Sequence, residues 1–290
     1  MGKIYVVATP IGNLSDITLR AIETLKAVDI IASEDTRRTL ILLNKYNIST
    51  KLVAYHKFNE KEQATKLIEL ILQKDISIAL VSDAGTPCIS DPGSILISEA
   101  LKNSIEVIPV PGVSSVIAAL SVSGFKINNF TFIGFFPRAN SEIKRLLNFI
   151  RQSLSEVYII FESPKRIEKT LSILGNNFSD ATVVLCNDLT KKFEKIYRGN
   201  ILEVSNIVSN DENSNLGEYV LLLSPNFRSL TNVKDVGNKF CLESYIINEM
   251  VEKKIDAKEA IKSLSSRTSF KKNDLYQAML NLKEIFGEKK

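Results

Sequence analysis

Residues 81–93 read VSDAGTPCISDPG, a long loop punctuated by glycine and proline. The short apolar run Ile76–Val81 before it predicts a buried strand, and the periodic run Ser94–Lys102 after it predicts a helix. In open α/β sheets, ligands bind beyond the carboxyl ends of the strands, where such loops lie. This loop therefore predicts both an α/β fold and one wall of a binding site.

The same alternation of short apolar runs and helical periodicity extends through residues 1–123 and predicts an N-terminal α/β lobe. Ile4–Ala8 is the first predicted strand, and Ser15 and Asp16 are the capping candidates for the helix that follows. Further strands are predicted at Ile30–Ala32, Leu52–Tyr55 and Ile105–Val110, and further helices at Thr36–Tyr46, Glu60–Lys74 and Ser114–Ser123.

After Gly124 the alternation restarts in a more mixed form, which predicts a second α/β lobe at residues 124–225. Residues 226–238 are polar and weakly patterned, and they predict a linker. Residues 239–290 predict a small basic helical module, with helices at 257–264 and 274–282 around a turn. In the second lobe, strands are predicted at Phe130–Phe135, Val157–Phe161, Thr182–Cys186, Lys195–Arg198 and Tyr219–Leu223, and helices at Glu142–Gln152, Lys165–Leu174 and Ile201–Val208.

The composition is that of a folded globular protein, with 44% hydrophobic and 24% charged residues in a chain of 290. Residues 226–290 hold 13 Lys and Arg against 9 Asp and Glu, so they carry the whole net charge of +4. This basic tail favours a polyanionic partner, although surplus lysines on a solvated helix give the same count.

The longest uncharged stretch lies between Glu106 and Lys126 and contains Pro109, Pro111 and Gly112, which break a helix. It predicts a strand, a turn and a helix, not a membrane span. The apolar run near the N-terminus is too short for a signal peptide, so we expect a cytoplasmic protein.

Several common classes of active site lack their residues in this sequence. No G-x-G occurs, which excludes the dinucleotide-binding and P-loop signatures. His56 is the only histidine, so a Ser-His-Asp triad and histidine-dependent metal sites have little support. Cys88, Cys186 and Cys241 are isolated, and we expect no metal site.

The loops after the predicted strands carry a specific set of motifs. They are TPIGNLSDIT at 9–18, SEDTR at 33–37, VSDAGTPCISDPG at 81–93, PGVSS at 111–115, GFFPR at 134–138, FESPKR at 161–166, LTKKFE at 189–194 and GEYV at 217–220. In this order they resemble the tetrapyrrole methylase superfamily across both predicted lobes. The resemblance is greatest to a branch that methylates ribosomal RNA.

This resemblance implies two α/β lobes of the tetrapyrrole-methylase type with the cofactor cleft between them. It implies S-adenosyl-L-methionine as the cofactor and 2′-O-methylation of a cytidine in the decoding region of 16S ribosomal RNA, with that RNA or the small ribosomal subunit as partner. It also implies a homodimer. Cys186-Asn187-Asp188 stands where the family usually has Ala-Arg-Glu, so a role of that arginine does not carry over, whereas Asp188 retains the acid.

The resemblance places the cofactor-binding residues in loops of both lobes. Gly12 and Gly85 allow the backbone to approach a ligand closely, and Ser114 and Ser115 begin a helix whose free N–H groups can bind a polar group. Asp83 is expected to hold a ribose hydroxyl or face the sulfonium, the alternative being a turn cap. The expected cofactor-binding residues are Pro10, Ile11, Gly12, Asp83, Gly85, Thr86, Ser114, Ser115, Phe161, Leu189 and Gly217.

A ribose hydroxyl is a weak nucleophile, so a nearby carboxylate or neutral imidazole would help to remove its proton. Glu34, Asp35 and Glu60 are the catalytic candidates, and Glu162 is a further carboxylate at the rim. Helix capping is the alternative role for Asp35 and Glu60. His56 is expected either to touch the substrate or to complete a loop.

RNA phosphates are bound by cations, and RNA bases stack on aromatic rings. Phe58 or Phe136 is expected to stack on a base. The basic tail is expected to contact phosphates, the alternative being that it buttresses the second lobe or a dimer. The expected RNA-binding residues are Arg37, Arg38, His56, Arg138, Lys165, Arg166, Lys191, Lys271 and Lys272.

Two other functions remain open at this point. One is a methylase that acts on a tetrapyrrole or a similar small molecule, against which the basic tail and the Ser-Asp-Ala-Gly-Thr-Pro form of the loop both count. The other is a non-catalytic RNA-binding factor of ribosome assembly that has kept the fold.

Overall fold

The structure is a computed structural model that describes residues 2–153, 155–225, 242–267 and 270–285. The chain divides into two compact units, Met1–Asn226 and Phe227–Lys290. Within the described ranges, the first unit contains two five-stranded sheets and the second contains three helices. The predicted fold class is therefore confirmed. The finer domain boundaries stay predictions, and the predicted linker at 226–238 lies outside the described residues.

The first lobe is a parallel sheet with helices between its strands, as the alternation predicted. Its strands are β1 (Lys3–Val7), β2 (Ile30–Ser33), β3 (Lys51–Ala54), β4 (Ile78–Val81) and β5 (Glu106–Val110), and its helices are α1 (Leu19–Ala27), α2 (Thr36–Lys45), α3 (Glu60–Lys74), α4 (Ser94–Lys102) and α5 (Ser115–Ser121). The strand order is β3-β2-β4-β1-β5. Because neighbouring strands are parallel, their carboxyl ends meet at one edge of the sheet.

The second lobe is a mixed sheet. Its strands are β6 (Phe130–Phe135), β7 (Val157–Glu162), β8 (Thr182–Asn187), β9 (Lys195–Asn200) and β10 (Tyr219–Ser224), and its helices are α6 (Asn140–Gln152), α7 (Ile167–Asn177) and α8 (Ile201–Ser209). The order is β6-β7-β10-β8-β9, and only the β6–β7 pair among these is parallel. The mixed pairing follows from the interrupted alternation of this part of the chain.

The edge strand β6 contains a bulge near its end. Phe132 and Gly134 pair with successive residues of β7, which leaves Ile133 as an extra residue. Gly134 has φ of +78°, a conformation that favours glycine. The extra residue shifts the alternation, so Phe135, which pairs with Phe161, lies on the same face of the sheet as Phe132.

An apolar cluster joins the two lobes. Ile11, Val116 and Ala119 of the first lobe are buried together with Ile159 and Leu222 of the second sheet. Full burial of a large apolar side chain contributes about 1.5–3 kcal/mol. This cluster therefore fixes the position of the loops of the first lobe against the second sheet.

The uncharged stretch between Glu106 and Lys126 contains β5, a turn and α5, as predicted. In the parts of the chain that the structure describes, every helix is too short or too polar to cross a bilayer.

The C-terminal unit has one helix more than was predicted. Its helices are α9 (Leu242–Lys253), α10 (Ala257–Arg267) and α11 (Lys272–Ile285). Ile246, Ile261 and Leu275 form its core, one from each helix. The spacing of Leu242, Ile246 and Met250 has helical periodicity, which is the signal that could have predicted α9.

The cap of α1 also differs from the prediction. Ser15 and Asp16 lie in a separate 3-10 turn, and Thr18 caps α1 by accepting a hydrogen bond from the N–H of Ala21 at 3.1 Å. Ile17 is extended and buried, so the chain leaves the turn before α1 begins.

Replacing Thr18 with alanine tests this cap. We expect Thr18→Ala to lower the free energy of unfolding by about 1 kcal/mol, the usual cost of losing an N-cap. The Tm should then fall by about 2–4 °C in calorimetry. Ser15→Ala is the control, because the Ser15 hydroxyl contacts the Lys45 ammonium at the surface. Equal losses in the two variants would contradict the assignment of Thr18.

Candidate functional site

A cavity of about 430 Å³ lies where the loops of the first lobe face the second sheet. Its volume falls in the range of roughly 300–1,000 Å³ that is usual for small-molecule sites. The first lobe contributes Ile11, Glu34, Arg38, Asp83, Ala84, Gly85, Thr86, Ile89, Ser90, Asp91, Ser114, Ser115 and Val116. The second lobe contributes Phe135, Phe161, Glu162, Ser163, Pro164, Leu189, Glu218, Tyr219 and Val220.

Most of the expected cofactor-binding residues line this cavity. They are Ile11, Asp83, Gly85, Thr86, Ser114, Ser115, Phe161 and Leu189. Pro10 and Gly12 line a smaller cavity of about 280 Å³ that shares Ile11 and Asp83 with the first. Gly217 lines neither cavity, although its neighbour Glu218 lines both.

Two loops of the first lobe are tied together beside the cavity. Thr9 and Gly85 form an antiparallel bridge in which each N–H donates to the other carbonyl, at 2.8 and 2.9 Å. The Thr9 hydroxyl also donates to the carbonyl of Ser82 at 3.1 Å. Gly85 has φ of +84°, which favours glycine. The bridge therefore fixes the loops after β1 and β4 relative to each other.

The Asp83 carboxylate is held by the start of α2. The backbone N–H of Asp35 donates to its Oδ1 at 2.9 Å, and the Arg38 guanidinium lies 3.6 Å from its Oδ2. These contacts join residues far apart in the chain, so Asp83 is not a local turn cap. It is a carboxylate positioned at the cavity wall.

Glu34 and Asp91 line the same cavity as Asp83, and these three carboxyl groups form its acidic wall. Burial, followed by the charge of Asp83, raises the pKa of Glu34, and the nearby Arg38 opposes the shift. Burial, followed by the charge of Glu34, raises the pKa of Asp91 to about 6. Buried like charges favour a cationic ligand. Asp91 was not among the expected site residues, although it belongs to the motif at 81–93.

Among the catalytic candidates Glu34, Asp35 and Glu60, only Glu34 lines the cavity. Asp35 caps α2 and accepts two hydrogen bonds from the Arg37 guanidinium, at 3.0 and 2.8 Å. These bonds to Arg37 lower the pKa of Asp35 to about 2, which makes it a weak base. Glu60 is the first residue of α3. Asp35 and Glu60 therefore both lie at the start of a helix, as their alternative role in helix capping requires.

Glu162 is buried and accepts hydrogen bonds from the Thr170 hydroxyl at 2.6 Å and the Ser163 N–H at 2.7 Å. The Arg166 guanidinium lies 3.4 Å from it and donates to the carbonyls of Phe136 and Pro137 at 3.1 and 2.9 Å. Arg166 thus braces the second lobe through Nη2, and its contact with an RNA phosphate stays a prediction.

Lys191 closes one end of the cleft. Its ammonium donates to Asp188 at 2.7 Å and to Glu218 at 3.0 Å. Burial opposes its charge, but these bonds outweigh burial and raise the pKa of Lys191. Gly12 packs so closely that a Cβ there would lie 2.5 Å from Lys191 Cγ and 2.7 Å from Thr190 Oγ1. The glycine of the first loop is therefore required for contact between the lobes.

The segment Cys186-Asn187-Asp188, which differs from the usual Ala-Arg-Glu of the family, supports the turn at Gly217. Asp188 accepts a hydrogen bond from the N–H of Glu218 at 3.2 Å, and the Asn187 amide donates to the carbonyl of Leu216 at 3.1 Å. A Cβ on Gly217 would lie 2.5 Å from the Asp188 carboxylate. The retained acid at Asp188 thus holds the loop that carries Glu218 to the cavity.

The remaining residues expected to bind RNA differ in exposure. Arg138, Lys165, Lys271 and Lys272 are exposed, and Arg38 lines the cavity. Arg37 is exposed but paired with Asp35. His56 is half-buried, and its Nδ1 is buried without a hydrogen-bond partner.

The two phenylalanines that were expected to stack on a base have opposite environments. Phe58 is 95% exposed, whereas Phe136 is 2% exposed and belongs to the core of the second lobe. Phe136 therefore cannot serve as a stacking surface, so the prediction was wrong for Phe136, and for Phe58 it stays a prediction.

For metal binding, the described residues contain no group of three or more His, Cys, Asp or Glu side chains suited to hold an ion.

The model of the family Tetrapyrrole (Corrin/Porphyrin) Methylases matches residues 3–205. The chain is 39% identical to Ribosomal RNA small subunit methyltransferase I of Halalkalibacterium halodurans, over 95% of this chain and 93% of the relative. It is 37% identical to the protein of the same name in Bacillus subtilis, over 96% and 94%. Identity to the protein of that name in Hydrogenobaculum sp. is 46%, over 77% and 95%.

Solved structures show the same fold at low identity. Uroporphyrin-III C-methyltransferase of Thermus thermophilus, in complex with S-adenosyl homocysteine, superposes with a TM-score of 0.55 at 18% identity, over 79% of this chain and 100% of that one. The cobalamin biosynthetic enzyme cobalt precorrin-4 methyltransferase has a TM-score of 0.57 at 18% identity, over 76% and 94%.

The acidic wall predicts an unusual pH dependence of stability. The pKa of Asp91 is raised to about 6 in the folded protein. The protonated carboxyl therefore adds stability, relative to neutral pH, at any pH below the pKa that Asp91 has in the unfolded chain, and this added stability is lost as the pH rises through 6. We therefore expect Asp91→Asn to raise the Tm at pH 8 and to leave it unchanged near pH 3. Asp211 is the control of opposite sign, because its hydrogen bonds to Lys195 and Tyr197 lower its pKa to about 2. Asp211→Asn should lower the Tm at pH 8, and a fall in both variants would contradict the burial of Asp91.

Proposed function

Because the chain belongs to the tetrapyrrole methylase family, with the ribosomal RNA small subunit methyltransferase I proteins among its relatives, we propose that it methylates small-subunit ribosomal RNA. The methyl donor is S-adenosyl-L-methionine, and the acceptor is the 2′-hydroxyl of a cytidine in the decoding region of 16S RNA. The observation that carries this proposal is the acidic cavity, whose walls are the motif loops of both lobes.

The residues of the cavity suit this cofactor chemically. Hydroxyls at Thr86, Ser114 and Ser115 can bind polar groups, while Ile11 and Leu189 provide apolar surface. The carboxylates of the acidic wall favour a positively charged ligand. When bound, S-adenosyl-L-methionine supplies the methyl group carried by its sulfonium. The residues of the cavity bind and orient the cofactor. Alignment of the methyl donor with its acceptor can lower the barrier of such a reaction by roughly 7–11 kcal/mol.

Glu34 is the proposed proton acceptor for the ribose hydroxyl. It lines the cavity, and its raised pKa brings its basicity nearer to neutral pH than that of an ordinary carboxylate. Asp83 is proposed to position the bound cofactor, because the Asp35 N–H and the Arg38 guanidinium at the start of α2 hold its two carboxylate oxygens. Arg38 lies beside Asp83 at the wall and can meet a phosphate of the entering RNA.

The proposed partner is 16S ribosomal RNA, free or within the small subunit, which places the protein in the cytoplasm. We also propose a homodimer. The exposed cations Arg138, Lys165, Lys271 and Lys272 are the proposed phosphate contacts.

Methylation of a tetrapyrrole is the second candidate function. Its support from solved structures is limited to the fold, because those of uroporphyrin-III C-methyltransferase and cobalt precorrin-4 methyltransferase are 16–18% identical to this chain. A non-catalytic assembly factor would not need the acidic cavity. The ribosomal RNA proposal accounts for both the cavity and the basic tail.

Mapping of ribose methylation in small-subunit RNA tests the function and the base together. A strain that lacks the gene should lose one 2′-O-methylcytidine, and the wild-type gene should restore it.

We expect Glu34→Gln to lower kcat by about 10²-fold or more, the usual effect of losing a general base. Because the raised pKa of Glu34 belongs to the active base, the wild-type kcat should rise with pH above the ordinary glutamate range.

Asp35→Asn and Glu60→Gln are the comparison variants, since neither side chain lines the cavity. Their kcat values should stay within a few-fold of the wild type once folding is verified by calorimetry. A greater loss in either than in Glu34→Gln would assign the base elsewhere.

Lysines of the C-terminal unit should contribute to RNA affinity through phosphate contacts. We expect Lys271→Gln with Lys272→Gln to reduce the slope of log affinity against log salt by about 0.7–0.9 per lost contact. The matched control is Lys66→Gln with Lys102→Gln, which removes the same charge from helices where each lysine pairs with a glutamate. Identical slopes in the two double variants would exclude a specific contribution of the C-terminal unit.

A further inference from the structure

Phe135 presents an aromatic surface at the wall of the cavity. Its side chain lines the cavity and is 62% exposed, whereas the adjacent Phe136 is 2% exposed. Phenylalanine is normally among the more buried residues, and an exposed ring beside a site needs a reason.

The bulge of β6 is what directs Phe135 to this place. In a regular strand, residues 132 and 135 would point to opposite faces of the sheet. The extra residue Ile133 and the left-handed Gly134 bring Phe135 to the face of Phe132, which is the face toward the first lobe. A Cβ on Gly134 would lie 3.7 Å from Ser90 Oγ, so the first lobe approaches closely here. Bulges of this kind re-aim side chains next to active sites.

Neighbouring rings hold Phe135 in position without covering it. Its centroid lies 5.7 Å from that of Phe161 with an interplanar angle of 69°, and Phe161 in turn meets Phe132 at 4.9 Å and 68°. Edge-to-face contacts of this type fix ring orientation. The ring of Phe135 is thus supported from the core and still 62% exposed.

The surroundings of Phe135 match the three parts of a nucleotide. Ile89, also half-exposed, adds apolar surface to the same cavity, where a base can be enclosed. Glu34 lies on the cavity wall, where a ribose hydroxyl is to lose its proton. Arg138 and Lys165 are exposed cations close in the chain to the lining residues Phe135 and Pro164, and their charges suit the phosphates of a nucleotide chain.

We propose that Phe135 is the platform on which the base of the methylated nucleotide stacks. This inference rests on the proposed function and adds that the target nucleotide leaves its stack in the RNA and enters the cavity singly. Aromatic side chains accept splayed RNA bases in this way. Stacking on a ring holds the nucleotide, and the ribose is thereby presented to the carboxylates.

Substitution of Phe135 separates stacking from packing. Loss of base stacking costs about 1–3 kcal/mol, which corresponds to a fall of about 5- to 150-fold in kcat/KM. We expect this fall for Phe135→Ala and Phe135→Leu on purified small subunits that lack the methylation. Phe135→Tyr should retain most of the activity, because the ring is kept. Cofactor affinity by calorimetry should stay within about two-fold in all three.

Phe130→Ala is the matched control. Phe130 lies on the same strand and is 42% exposed, but it is at the opposite end from the cavity. Its kcat/KM should be unchanged. An equal loss in Phe130→Ala and Phe135→Ala, or a change in the molecular mass in solution of Phe135→Ala, would overturn the proposal and indicate packing or contact with a second copy of the chain.

A fluorescence experiment tests the contact directly. The chain contains no tryptophan, so Phe135→Trp and Phe130→Trp each introduce a single reporter. Saturation with a short oligocytidine should quench the reporter at 135 and not the reporter at 130. Quenching of both or of neither would overturn the proposal. If the wild type transfers no methyl group to the subunits, the proposed function fails on its own, whereas the selective quenching still decides whether a base stacks on this residue.

Discussion

The contact between the two lobes is the interaction on which the site depends. Val116 and Ile11 are buried in the apolar cluster that joins the lobes, and both also line the cavity. Because protein interiors are close-packed, a change of one methylene in this cluster displaces its neighbours. The same side chains thus serve as core and as wall, so the stability of the inter-lobe contact and the shape of the site cannot vary independently.

Electrostatics impose a second constraint on the same cavity. The Arg37 guanidinium is paired with Asp35, and the Arg38 guanidinium, 3.6 Å from the Asp83 carboxylate, only partly offsets the charges of the acidic wall. The raised pKa values of Glu34 and Asp91 report the cost of this arrangement. Stability alone would favour neutral residues at these positions. Perturbed acids of this kind concentrate where a protein binds ligands or moves protons.

Local patterns predicted the elements well and the three-dimensional neighbours poorly. The bounds of α3, α4 and β6 agree with the structure, since periodicity and the flanking turn residues determine them locally. Sequence reasoning named Phe58 or Phe136 as the stacking residue and did not consider Phe135. Strict alternation cannot reveal the bulge that turns Phe135 to the face of Phe132, although a glycine within a strand was the available signal. The surroundings of Asp91 and Arg166 come from distant segments of the chain, which a single sequence does not reveal.

The position of β1 has a consequence for how the chain is made. Residues Lys3–Val7 form the strand between β4 and β5, so their partners are residues synthesised much later. Non-local parallel pairing is slow to form and leaves apolar strands exposed meanwhile. Strand β1 can therefore pair only after Ile78–Val81 has been made, and both of its edges are covered only after Glu106–Val110 has followed.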